Sequence, residues 1–440
     1  MKLGSWRIGG ETPGKAAEPE LLEIVRTQRL RSGMLMLVSL LLTVTAFALE
    51  PPATILHGMG RILVEPGVLI TDYMAVAGPG AAFLNSGLLL AVGLLLVRMN
   101  RIAISGPVIA ALLTLCGFSF FGKNLYNSWA VPLGVLVYAR FTGAPFSRYI
   151  LHALFGTALG PLTSQISFGL GLPPQAGIPL GNLAGMVAGF LLPVLAGHFL
   201  KFHQGYNLYN IGFTCGIIGM LFMGVLRAFG YQSTPVLVVS EGLNLPLAEF
   251  MYLLSIALII GGLLTGGADW GRLWLLWRQS GRLAADFPEL VGIGTTMVNM
   301  GLLGLLATTY ALVVGGELNG PILGGIFTII GFGAFGKHLM NTLPILVGVY
   351  LAALMHVFDP HATASLLAAL FGTTLAPMAG AFGWPVGLLA GFLHMSMVMN
   401  IGYLHGGLNL YNNGFSGGFI AAVLVPVLEA VRERMGDQNR

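Results

Sequence analysis

His203-Gln204-Gly205-Tyr206-Asn207-Leu208-Tyr209-Asn210-Ile211-Gly212-Phe213 returns almost intact as His405-Gly406-Gly407-Leu408-Asn409-Leu410-Tyr411-Asn412-Asn413-Gly414-Phe415. A cluster of His, Asn and Tyr is out of place in a chain that is 55% hydrophobic and 9% charged. Meeting it twice implies that the chain was built by doubling one unit.

A soluble domain carries about 25% charged residues, so this composition excludes the ordinary soluble classes and puts the chain in a lipid bilayer. Apolar runs of about 17 to 25 residues recur from Met34 to Leu428, each long enough to cross the hydrocarbon core as a helix. A β-barrel would show short alternating segments instead. The 64 glycines favour close helix packing and broken helices. The net charge of +4 is spread between the apolar runs and lacks the clustering of a nucleic-acid face. Cys116 and Cys215 lie inside apolar runs and are expected to be buried free thiols. No short apolar core with a small-residue cleavage site follows the basic N-terminus, so no cleaved signal peptide is expected.

Residues 1–32 read as a cytoplasmic N-terminal segment whose part from Glu18 to Arg26 forms a short amphipathic surface helix. Seven membrane segments follow, at 33–49, 81–97, 104–121, 128–141, 148–168, 178–199 and 206–226. Seven more lie at 247–266, 295–314, 319–335, 342–357, 362–381, 385–403 and 408–428. The run at 128–141 is short enough to belong to a broken or re-entrant helix. The expected units are membrane repeat 1 (33–227), an external linker (228–246), membrane repeat 2 (247–431) and a cytoplasmic tail (432–440). Whether 50–80 and 264–294 dip into the membrane stays open at this level.

Most of the second set copies the first at an offset of 214 residues. Asn85-Ser86-Gly87 matches Asn299-Met300-Gly301, and Ser105-Gly106-Pro107 matches Asn319-Gly320-Pro321. Phe121-Gly122-Lys123-Asn124-Leu125-Tyr126-Asn127 matches Phe335-Gly336-Lys337-His338-Leu339-Met340-Asn341, and Leu154-Phe155-Gly156-Thr157 matches Leu370-Phe371-Gly372-Thr373. Asp72 falls opposite Asp286. An odd number of spans per unit places the two copies in opposite senses. With the N-terminus inside, all of the 21 Lys and Arg except Arg61, Lys123 and Arg227 fall at cytoplasmic ends, as the positive-inside rule requires. The expected fold is an all-α polytopic integral membrane protein, with about 14 transmembrane segments in two inverted repeats of about seven and some broken or re-entrant helices. Both termini are expected in the cytoplasm, at the inner membrane of a prokaryotic cell.

Inverted repeats build many secondary transporters, with the site near the midplane where broken helices of the two copies meet. Lysine inside an apolar span costs a few kcal/mol at the helix centre and so needs a reason. Lys123 and Lys337 either sit at the two interfaces or line a path, where they attract an anion or pair with Asp72 and Asp286. Asn and Tyr offer donor and acceptor together, as a neutral polar solute or a recoordinated ion requires. If the segment is helical, Asn207 and Asn210 share one face beside Tyr209. The bland alternative is a polar helix-packing seam. Two layers are expected along the path. One holds Lys123, Asn124, Asn127, Lys337, His338 and Asn341; the other holds Asn207, Tyr209, Asn210, Asn409, Tyr411 and Asn412.

His356, Asp359 and His361 lie close together, but the first copy has no matching set, so no metal is expected. No phosphate-cradling loop, nucleophile elbow or zinc-protease pattern is present, and neither catalysis nor a cofactor is expected.

The paired Phe-Gly-Lys and Asn-Leu-Tyr-Asn motifs, over nearly the whole chain, resemble an uncharacterised family of prokaryotic multi-spanning membrane proteins known as a domain of unknown function. Gly205-Tyr206-Asn207 is also similar to the Gly-Tyr-Asn-Gly loop of urea transporters, which likewise contain two inverted halves. Leu408 replaces that tyrosine in the second copy, and the Leu-Pro-Phe-Asn motif of that family is missing. The expected function is passage of a small polar or anionic solute, by a transporter or channel whose partners are the lipid bilayer and that solute. No nucleic acid is involved, and a homo-oligomer is left open. The rival is a membrane scaffold or an intramembrane lipid-modifying enzyme. An enzyme would need a catalytic set in one copy only, whereas these polar residues are matched in both.

Overall fold

A computed structural model describes residues 18–355 and 358–437. The expectations for residues 1–17, His356 and residues 438–440 fall outside them.

The first half runs α1 Glu18–Leu49, α2 Pro52–Val64, α3 Tyr73–Ala77, α4 Pro79–Met99, α5 Gly106–Phe118, α6 Ala130–Phe141, α7 Ile150–Gly156, α8 Gly160–Ser164, α9 Pro174–Phe202 and α10 Asn210–Ala228. The second runs α11 Asn244–Leu264, α12 Trp270–Trp277, α13 Phe287–Val313, α14 Gly320–Phe332, α15 Leu339–Ala353, α16 Thr363–Gly372, α17 Ala376–Phe382, α18 Trp384–His405 and α19 Asn412–Asp437. Among the described residues, β-structure is confined to two isolated bridges.

Nine stretches of helix among the described residues are long and apolar enough to cross a membrane, and α5, α6, α14 and α15 are shorter apolar helices. The expected segment at 148–168 is broken into α7, α8 and short tighter and wider turns. The surface helix expected at 18–26 is instead the first part of α1, because no Pro or Gly interrupts the chain between Leu21 and Ser32.

The order of elements is the same in both halves, and so are their local devices. Asp72 caps α3 by accepting from Met74 N at 2.8 Å, and Asp286 caps α13 by accepting from Glu289 N at 3.4 Å. One turn later the chain bends at Gly78 (φ 94°) and at Gly292 (φ 82°), a left-handed conformation that β-carbon sterics deny to most residues. Tyr73 N bonds Phe120 O at 2.9 Å, and its counterpart Phe287 N bonds Ala334 O at 3.2 Å.

The two halves meet reciprocally at the centre. Helices α5 and α14 pack antiparallel: a β-carbon on Gly117 would stand 2.7 Å from Gly324 O, and one on Gly331 would stand 3.2 Å from Ala110 O. Small residues at the crossing let the backbones touch, which is how helices gain packing energy where lipid supplies no hydrophobic drive. At the ends of this pair the acids are exchanged: Asp286 accepts from Gly106 N at 3.1 Å, while Asp72 lies against Gly320. Neither acid pairs with a lysine among the described residues; Asp72 also accepts from Ser240 N and Ser240 Oγ. A second reciprocal contact joins α10 to α19, with Gly212 against Tyr411 and Gly414 against Tyr209.

Candidate functional site

Both α5 and α14 stop in mid-protein, and their last carbonyls need donors because lipid offers none. Asn85 Nδ2 supplies them to Ser119 O at 2.7 Å and Lys123 O at 2.8 Å. Asn299 Nδ2 does the same for Gly333 O at 2.8 Å and Lys337 O at 2.9 Å. Asn127 Nδ2 bonds Gly122 O, and Asn341 Nδ2 bonds Gly336 O, both at 2.9 Å. The stretches at 50–80 and 264–294 also reach these breaks, with Gly67 against Gly122 and Gly281 against Gly336. Each break is thus a rigid loop that carries one lysine inward.

Lys123 and Lys337 are both 0% exposed, which removes the interface reading. Lys337 Nζ donates to Tyr209 Oη at 2.5 Å and to Thr373 Oγ1 at 2.7 Å, and it lies 4.6 Å from the Tyr209 ring centre. Lys123 Nζ lies 4.8 Å from the Phe118 ring centre and has no hydrogen-bond partner among the described residues. Neither lysine has an ion-pair partner among the described residues. Tyr209 and Tyr411 pack with ring centres 5.1 Å apart. The two layers expected from the sequence are therefore one centre, in which the lysine of the first motif meets the tyrosine of the second.

The other expected residues surround this centre but spend their polar groups on the backbone and on neighbouring side chains. The segment 203–209 is not helical, and α10 begins only at Asn210. Asn207 Nδ2 bonds Gly414 O at 2.9 Å and Asn409 Nδ2 bonds Gly212 O at 3.4 Å, tying each half to the other. Asn210 and Asn412 each meet a histidine, His203 and His405, at 2.9 Å. Asn124 accepts from Tyr126 N and Asn127 N, and His338 Nε2 meets Gln279 O at 2.8 Å. Thr373, Thr374, Thr114 and Cys215 also belong to the centre and were not foreseen. The repeated Leu-Phe-Gly-Thr motif carried the signal for Thr373.

A cavity of about 420 Å³ reaches the two tyrosines of this centre, and neither lysine lines it. Its walls include Leu151, His152, Phe155, Ala196, Gly197, Leu200, Leu208, Tyr209, Asn210, Leu283, Phe332 and Tyr411. The equivalent positions of the other half, including Leu367, Phe371, Val398, Met399, Leu410, Asn412 and Leu69, line a cavity of about 60 Å³. Bulk explains part of the difference: Val398 and Met399 stand where the wide cavity has Ala196 and Gly197.

The class these features define is an all-α, polytopic membrane protein with two matched halves closing on a buried Lys–Tyr centre. More particularly, the chain belongs to the family described as Protein of unknown function (DUF1576), whose model matches residues 51–228 and 270–430. No curated protein and no solved structure matches the chain.

Proposed function

We propose that the protein is a secondary transporter, not an enzyme, that carries a small polar or anionic solute between two inverted halves. The observation that carries the reading is the pair of equivalent cavities, about 420 Å³ and about 60 Å³, the wide one walled by Tyr209 and Tyr411 and the narrow one by Phe371, which packs on Tyr209. A wide cavity with a narrow counterpart is what rocking of one half against the other produces, with the site fixed between them. A channel would need both cavities open at once.

The antiparallel packing of α5 on α14 supports opposite orientations of the two halves, with about 14 segments if the broken and short helices are counted. In the topology read from the charges, the wide cavity faces the cytoplasm, since its wall residues Leu200 and Leu283 adjoin Lys201 and Arg282 in the chain. Two buried lysines, with no carboxylate partner among the described residues, place amine donors at the centre, which suits a solute whose oxygens accept.

Uptake of a panel of small solutes into proteoliposomes tests the reading. Flux of at least one solute that falls severalfold or more in Lys337→Met is expected; no flux of any solute would overturn it.

A further inference from the structure

The wall of the narrow cavity has a partner that the wall of the wide cavity lacks. Leu69 and Ile70 line the narrow cavity, and their counterparts Leu283 and Ala284 line the wide one. Both walls are fixed at one point in the same way: Leu69 N donates to Gly407 O at 3.1 Å, and Leu283 N donates to Gly205 O at 3.2 Å. Beyond that point the halves differ. The extended linker between α10 and α11 runs in parallel beside the first wall, with Val238 paired to Thr71. Ile70 N donates to Val236 O at 3.0 Å, Val238 N to Ile70 O at 3.0 Å, and Asp72 N to Val238 O at 2.8 Å. Ser240 N and Ser240 Oγ then donate to Asp72 Oδ2 at 3.0 and 2.6 Å. No segment among the described residues pairs in this way with Ala284 or Asp286, and the Asp286 carboxylate accepts from Gly106 N and Glu289 N instead.

The linker is itself anchored near both ends. Arg227 Nη2 donates to Ser233 Oγ at 3.2 Å, and Gly242 N donates to Glu317 Oε2 at 3.3 Å. Held there, it does not follow the wall, so residues 69–72 can draw away from it only when the row of bonds parts. Two walls at matched positions, one braced beside about 60 Å³ and one unbraced beside about 420 Å³, leave the linker to account for what side-chain bulk does not. We infer that the linker is a latch: its segment from Val236 to Ser240 holds the Leu69–Asp72 wall in place, and parting of the two is the step that widens the narrow cavity. The inference rests on the transport reading for its purpose, but the latch is tested without any solute. Switching elements of this kind have two discrete arrangements, here bonded and parted.

Met399→Cys, at another wall position of the narrow cavity, reports its opening. The readout is the rate of labelling by a membrane-impermeant thiol reagent, applied to the full-length protein in vesicles from the side opposite the wide cavity. Gly197→Cys, in the wide cavity, is the reference. Ser240→Ala removes one donor to Asp72, and Val238→Pro removes the donor to Ile70 O. Each is expected to raise labelling of Met399→Cys about three- to tenfold, the shift that loss of one hydrogen bond gives, with no rise at Gly197→Cys. Ser240→Ala keeps every backbone bond of the linker, so it decides the matter if Val238→Pro does not fold. Unchanged labelling of Met399→Cys in Ser240→Ala, or an equal rise at both positions, which is general loosening, would overturn the inference. Proteoliposome flux separates the two claims: labelling that rises while no solute moves leaves the latch standing and transport refuted, and flux with unchanged labelling does the reverse.

Discussion

The sharpest consequence of the unequal centre is that two equivalent substitutions have different costs. Tyr209→Phe removes the oxygen that accepts from Lys337 Nζ at 2.5 Å and leaves that buried amine with Thr373 alone. The ring stays, and with it the packing 4.6 Å from Nζ, so the loss is the hydrogen bond itself. Such a bond contributes about 0.5–1.5 kcal/mol between neutral groups and about 1.5–3 kcal/mol when one is charged. Tyr411→Phe removes a buried hydroxyl that faces only the Thr114 hydroxyl and makes no well-formed hydrogen bond. Its expected effect is about zero. Tyr209→Phe should therefore cost about 0.5–3 kcal/mol more than Tyr411→Phe, read as unfolding free energy from denaturant titration in mixed micelles. Equal losses, or a larger loss in Tyr411→Phe, would refute the assignment of Lys337 as the satisfied lysine and Lys123 as the free one.

Four further outcomes follow from the packing. Asn85→Ala leaves Ser119 O and Lys123 O without their donor and should cost about 1–3 kcal/mol for each carbonyl that finds no new partner, measured by the same titration. Glu289→Gln should cost less than about 1 kcal/mol because the carboxylate of its 2.7 Å pair with Arg31 is 64% exposed. Arg31→Met should cost more, since Arg31 is 3% exposed and also holds Ile104 O at 2.8 Å. Gly117→Val pushes a side chain into Gly324 O across the α5–α14 crossing, and loss of a monodisperse elution peak is expected.

Much of this architecture was legible because duplication preserves contacts together with residues. Asn85 and Asn299 matched in sequence, and both stitch the break that carries a lysine. The Asp72 and Asp286 match was legible as a pair, but its use was not. Each acid closes a helix start in the other half, a contact between residues far apart in the chain. The expectation of two polar layers failed to see the join of Lys337 to Tyr209, because nothing in local spacing tells which loop faces which. The asparagines looked like path residues since an amide in an apolar run implies a partner. The partner was freed backbone at helix breaks, which hydropathy counts as span. The shortness of α5 and α14 was hidden for the same reason: their apolar runs continue past the last helical turn.

The central claim, that the two halves expose one centre to opposite sides in turn, is tested most directly at the equivalent wall positions Gly197 and Met399. Each is replaced by cysteine and labelled with a membrane-impermeant thiol reagent in vesicles of defined orientation, with the buried Cys116 and Cys215 of the parent chain as background. Alternating access predicts that Gly197→Cys labels from the cytoplasmic side, that Met399→Cys labels only from the outer side, and that tethering the wide cavity shut raises labelling at Met399→Cys. Labelling of both positions from a single side, or no response of Met399→Cys to that closure, would contradict it.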